Sequence, residues 1–157
     1  MLRPTLTLLA FGTLVASTAA QGPAQKVPVA WSTTVETSGK EVLLKATARI
    51  DEGWYVYALT LLSDQGPLPT VFTFEPSKAY ALVGGVAEPK PEEVEDPNFM
   101  MLVRHHSHDP VFVQKVARTG SEAFEVKATV EYMACNNSMC LPPVQVPLVF
   151  HVEAAVK

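Results

Sequence analysis

Strict alternation of apolar and polar side chains is the feature that most constrains what this chain can become. In EVLLKATARI (residues 41–50), Val42, Leu44, Ala46, Ala48 and Ile50 fall on one face, the period of two of a strand buried on one side. FEVKATVEYMA (124–134) repeats the pattern, with Phe124, Val126, Ala128, Val130, Tyr132 and Ala134 inward and Glu125, Lys127, Thr129 and Glu131 outward. VQVPLVFHV (144–152) does the same with Val144, Val146, Leu148, Phe150 and Val152. VAWSTTVE, WYVYA, TVFTFE, YALVGGV, MMLVRH and VFVQKVA also read as strands, for roughly nine in all. Ser38-Gly39, Asp51-Glu52-Gly53 and Gly66-Pro67 supply turns between them, and no segment combines a helical period with a cap. The acidic, proline-rich EPKPEEVEDPN (88–98) reads as a loop. Pro147, inside a strand run, predicts an edge or a bulge because it cannot donate to a ladder.

Many short strands joined by regular turns predict an all-β, immunoglobulin-like antiparallel β-sandwich. The 157 residues suffice for one domain with its own core, and 48% apolar composition supplies it. The first twenty residues stand apart. Arg3 precedes an apolar run from Leu6 to Val15, and Ala16-Ser17-Thr18-Ala19-Ala20 follows, the order of a signal peptide cleaved near Ala20. That run is half the length of about 20 residues that a spanning helix needs. The expected organisation is a signal peptide over 1–20, a flexible leader over 21–28 and one domain over 29–157. The expected product is secreted and carries no membrane insertion after cleavage. The formal charge of −4 argues against nucleic acid, which requires clustered Lys and Arg.

Export makes the two cysteines, Cys135 and Cys140, informative, since a disulfide persists outside the cytosol. Extending the 124–134 alternation puts Cys135 on the outward phase beside Met133. Asn136-Asn137-Ser138 then suits a tight reversal, so the thiols flank a hairpin turn within reach of a bridge. Spacing alone leaves a structural clip and a redox pair equally open. A clip on so short a loop would stabilise the fold by no more than about 2–3 kcal/mol. Zinc is disfavoured, since tetrahedral sites use closer Cys spacing and a second ligand pair.

VEYMACNNSMCLPP resembles the cysteine hairpin of the N-terminal periplasmic domain of DsbD, the transmembrane thiol:disulfide interchange reductase. An aromatic residue precedes the first Cys, a polar turn follows, and the second Cys leads into Pro-Pro. DEGWYVYAL (51–59), GPLPTVFTF, YALVGGVAEP and EDPNF (95–99) resemble further segments of that family in the same order. The resemblance implies that Cys135 and Cys140 are a redox-active disulfide in place of any cofactor, with Cys140 forming mixed disulfides. It implies that Tyr55 and Tyr57 lie beside the pair and that Asp96 and Phe99 belong to a cap loop over it. The implied activity is that of a protein-disulfide reductase component, relaying electrons in the periplasm. The implied partners are a membrane-embedded thiol reductase and thioredoxin-like or other thiol proteins. Exchange chemistry needs an accessible sulfur and a nearby resolving thiol, and a hairpin pair offers both.

Two rival readings are a binding or structural sandwich of the cell envelope whose bridge is only a clip, and a copper-handling protein. The second rests on RHHSHD (104–109), where His105, His106 and His108 are common ligand types with methionines elsewhere in the chain. Against it, alternation sends His105 and His106 to opposite faces, and the polar residues read as a hairpin tip between two strands. Trp31 and Trp54 are expected in the core. On WYVYA, Tyr55 and Tyr57 share a face opposite Trp54 and Val56, so one pair is expected inside and the other partly open.

Overall fold

The computed structural model describes residues 27–155. The expected signal peptide, the leader as far as Lys26 and the last two residues lie outside them. Eleven strands run in chain order: β1 (Val29–Ser38), β2 (Glu41–Ile50), β3 (Tyr55–Tyr57), β4 (Val71–Phe74), β5 (Tyr80–Ala87), β6 (Glu92–Asp96), β7 (Met101–His106), β8 (Val111–Arg118), β9 (Phe124–Tyr132), β10 (Ala134–Cys135) and β11 (Val144–Val152). They form three antiparallel sheets, ordered β1-β2-β8-β5, β11-β9-β4 and β10-β3-β7-β6. The protein is an all-β, immunoglobulin-like sandwich. Among the described residues no helix is long and apolar enough to cross a membrane.

The first two sheets enclose the main core. Val42, Leu44, Ala46 and Ala48 of β2 and Phe112 and Val116 of β8 meet Val126, Val130 and Tyr132 of β9 and Leu148, Phe150 and Val152 of β11. These are the inward positions of the alternating segments, so the apolar pattern translates directly into the layer contact. Trp31 packs beside them, its ring within 6 Å of Phe72, Phe112 and Tyr132. Pro147 lies on β11, an edge strand, opposite Thr129. There its missing N–H breaks no ladder bond on the far side.

Three expectations give way. Glu92–Asp96 is not loop but strand: it pairs with β7 from Glu92↔His105 to Asp96↔Met101. Four of its five residues are acidic, as suits an exposed edge that must not recruit another strand, and that composition hides it from an apolar-period search. The β7 strand extends through both His105 and His106, and it does not form a hairpin with β8, because the two belong to different sheets. Finally, β9 ends at Tyr132, Met133 leaves the ladder, and Ala134–Cys135 joins β3 in the third sheet. Ala134 still faces the main core and Cys135 the opposite face, as the alternation predicts, but that face is covered and Cys135 is buried instead of solvent-facing.

The third sheet has two occupied faces. Register places Val56 opposite both Ala134 and His106, and this face joins the main core. Tyr55 opposite Cys135, and Tyr57 opposite His105, share the other face. That face carries a second cluster of Tyr55, Tyr57, Val103 and Cys135, with Phe99, Met101, Met133 and Cys140 against it. The tyrosines are therefore not the partly open pair of β3. Both faces of the strand are covered, and Trp54 is the half-buried residue.

Candidate functional site

The cysteine hairpin is built by local hydrogen bonds. Leu141 N donates to Ala134 O at 2.9 Å and Asn136 N to Met139 O at 2.9 Å, which sets Cys135 directly opposite Cys140. The two form a disulfide, with Cα atoms 4.0 Å apart. Asn136 Oδ1 accepts from the N–H groups of Ser138 and Met139, each at 2.9 Å. The side chain thus does what a backbone carbonyl would do in an ordinary turn. Cys135 is 0% exposed, whereas Cys140 is half-buried. The two cysteines are therefore not equivalent in burial.

Behind the disulfide lies a polar network. Tyr57 OH is 2.8 Å from Asp96 Oδ2, 3.3 Å from Cys135 Sγ and 3.9 Å from Cys140 Sγ. Tyr55 OH donates to the same Asp96 Oδ2 at 2.9 Å, with Asn136 O at 3.3 Å. Asp96 Oδ1 accepts from the backbone of Asn98 (2.8 Å) and Phe99 (3.2 Å). Burial by itself raises the Asp96 pKa, but these hydrogen bonds, those of Tyr57 and Tyr55 first, outweigh it and hold the carboxyl below its ordinary value. The tyrosines move the other way. Burial, reinforced by Asp96, pushes Tyr55 up to about 12 and Tyr57 further still. At neutral pH the site holds a carboxylate and two protonated phenols, and Tyr57 can aim its single proton at Asp96 or at sulfur.

The loop between β6 and β7, residues 97–100, closes over this network. Met100 N donates to Asp96 O at 2.7 Å. Phe99 sets its ring edge-on to Tyr57, with centroids 6.1 Å apart. Asn98 Nδ2 donates to Asn136 O at 2.7 Å and to Tyr55 OH at 3.1 Å. Asp96, which the sequence groups with the cap, lies beneath the disulfide as the anchor of the loop, 1% exposed. Asn98 and Asn136 are additions that sequence reading missed. The signal was present in the first case, since an Asp-Pro-Asn-Phe stretch favours an Asp-capped turn.

The histidines do not converge. His105 stacks on Tyr55 with centroids 4.4 Å apart, and its Nε2 is 3.6 Å from Glu92 Oε2. His106 points to the other face, its Nε2 2.9 Å from Glu88 Oε2 and its ring edge-on to Phe112. His108 is exposed beyond the strand. Among the described residues no three His, Cys, Asp or Glu side chains are grouped to hold a metal ion. Burial lowers the pKa of His105 against the pull of Glu92, leaving a neutral ring on the tyrosine.

A small sandwich that carries a hairpin disulfide with one cysteine half-buried and the other fully buried against a tyrosine–carboxylate network has the parts of a thiol–disulfide exchange module. The family described as Thiol:disulfide interchange protein DsbD, N-terminal, matches residues 23–148, and the chain belongs to that family. Among solved structures, the Neisseria meningitidis DsbD N-terminal domain in the reduced form is similar at 21% identity and a TM-score of 0.54, covering 80% of this chain and 91% of that one. The complex between the DsbD N-terminal and PilB N-terminal domains of Neisseria meningitidis gives 18% identity and a TM-score of 0.47, covering 76% of this chain and 80% of that one. The N-terminal periplasmic domain of ScsB from Proteus mirabilis gives 11% and 0.46, covering 78% of this chain and 44% of that one. No curated protein matches the chain.

Proposed function

We propose that Cys135–Cys140 is a reversible redox pair through which the domain relays electrons in the periplasm, from a membrane-embedded thiol reductase to thioredoxin-like or other thiol proteins. The observation that carries this reading is the asymmetry of the pair, half-buried Cys140 against fully buried Cys135 with the Tyr57 hydroxyl 3.3 Å from its sulfur. A thiolate of the upstream reductase attacks Cys140 Sγ. The S–S bond breaks, and Cys135 leaves as a thiolate toward the Tyr57 hydroxyl, whose proton turns from Asp96 to sulfur as a hydrogen bond. A second thiol of the reductase then displaces Cys140, leaving the reductase oxidised and this domain reduced by two electrons. In the next encounter the Cys140 thiolate attacks a disulfide of the recipient, and Cys135, taking Cys140 back into the disulfide, releases the recipient with both electrons. Phe99 and the rest of the 97–100 loop shield the pair between encounters.

The reduction potential of the pair, titrated in glutathione and dithiothreitol buffers with alkylation as readout, tests this. A redox carrier gives a value in the range of catalytic oxidoreductases, about −270 to −120 mV, and stays folded when reduced. In addition, Cys135→Ser traps partners on Cys140. A value below about −300 mV, or unfolding on reduction, would make the bridge a clip and sink the proposal.

A further inference from the structure

The 97–100 loop is tied to the cysteine hairpin by very little. Among the described residues one hydrogen bond joins them directly, from Asn98 Nδ2 to Asn136 O at 2.7 Å. The second proton of the same amide goes to Tyr55 OH at 3.1 Å, whose own proton is committed to Asp96 at 2.9 Å. Donors and acceptors therefore match one to one. The Asn136 carbonyl is free for this because the Asn136 side chain has taken the Ser138 and Met139 N–H groups. The remaining bonds of the loop, from Asn98 N, Phe99 N and Met100 N to Asp96, are internal to its own turn. Met100 adds no anchorage: it is 88% exposed and sits at φ 54°, a left-handed conformation unfavourable for a residue with a Cβ. Besides the Asn98 amide, the contact that holds the loop down is the half-buried Phe99 ring.

We infer that Asn98 is a positioning residue, the latch that sets how often the loop opens and hence how fast a thiol or phosphine reaches the Cys135–Cys140 bond. The inference rests on the exchange reading of the disulfide and adds to it the residue that holds the shielding loop closed. Opening exchanges two well-matched amide hydrogen bonds for bonds to water. Removing the amide donors therefore raises the opened population, and with it the reduction rate, by about tenfold.

The test is the rate of disulfide reduction by a small phosphine, followed by alkylation and mass measurement, in the wild-type domain, Asn98→Asp and Asn98→Ala. Asn98→Asp keeps the shape of the side chain but presents only acceptors to the Asn136 carbonyl. Its rate at pH 7 is expected to be about tenfold above wild type, with Asn98→Ala in between or equal. The excess of Asn98→Asp over wild type, taken as a ratio at each pH, should shrink as pH falls toward about 4, where the carboxyl regains a donor proton. A merely structural side chain would not produce that pH signature. Rates within twofold of wild type for both variants at pH 7 overturn the latch, as does a lowered melting temperature with an unchanged rate. A small reductant makes no use of partner recognition, so this result stands apart from the potential and the partner trap that test the exchange reading itself.

Discussion

Val130 and Tyr57 are both fully buried, but the two regions they occupy hold together by different means. Val130 belongs to the layer between two sheets, where aliphatic and aromatic side chains from β2, β8, β9 and β11 meet. There stability comes from apolar area removed from water, about 25 cal/mol per Å². Tyr57 belongs to a small cluster on the far face of the third sheet. Its neighbours are a carboxylate, a second phenol, a disulfide and, across the strand pair, a histidine. Such a cluster buries less, and every polar atom in it needs a partner. The first region makes a rigid platform. The second uses the platform's edge to hold polar groups in place around the disulfide.

That contrast can be broken from either side. The largest effect is expected from Phe150→Ala, which opens a cavity in the main core and should cost about 3–5 kcal/mol in urea unfolding. The reduction rate of the disulfide in the folded fraction should change little. A comparable loss of stability together with a large change in that rate would mean that the two regions are coupled. Next comes Asp96→Ala, which strips the acceptor from two phenols and two backbone N–H groups and should cost about 1–3 kcal/mol. Asp96→Asn, which keeps an oxygen, should recover part of that. The sign of its pH dependence follows from the depressed pKa of Asp96. Its stabilisation is complete above the unfolded value of about 3.9 and is lost as pH falls through the lower folded value. In Asp96→Ala that acid limb should weaken.

The smallest effect sharpens the comparison. His105 faces Glu92 and Asp96 of β6 and Tyr55 of β3, with His106 next to it on its own strand. Burial depresses its pKa, so the unfolded chain binds the proton more readily. Stability is therefore full above the unfolded value of about 6.5 and declines as pH falls below it. His105→Phe keeps a ring on Tyr55 and should flatten that decline, so that unfolding at pH 7 and at pH 5 differs less than in wild type. An unchanged slope would show that another group carries it.

How far the fold was legible varies by strand. β2, β9 and β11 could be placed from alternation alone, because each has one apolar face and one polar face. β6 could not, since only Val94 in it is apolar and its strand character comes from pairing with β7. The cysteine pair was legible as a pair, and the tyrosines and Phe99 as its neighbours through the family resemblance. The face of Cys135 followed from alternation, but its burial did not, because the residues that cover that face, among them Tyr55, Tyr57 and Phe99, are distant in sequence. The stacking of His105 on Tyr55 and the Asn98–Asn136 contact joins residues 38 or more positions apart. No local pattern can encode such contacts.

By itself, then, the order of residues determined a β-sandwich, the strands that line its core and two thiols able to meet across a turn. All of these follow from periodicities and turn chemistry that act over a few neighbouring residues. Only the tertiary structure decided which cysteine is fully buried, that Asp96 sits under the disulfide instead of over it, and that the Asn98 amide bonds the 97–100 loop to the cysteine hairpin. Each of those depends on which strand pairs with which across the third sheet. Pairing sets the register, and register decides which polar atoms lie close enough to satisfy one another once water is gone.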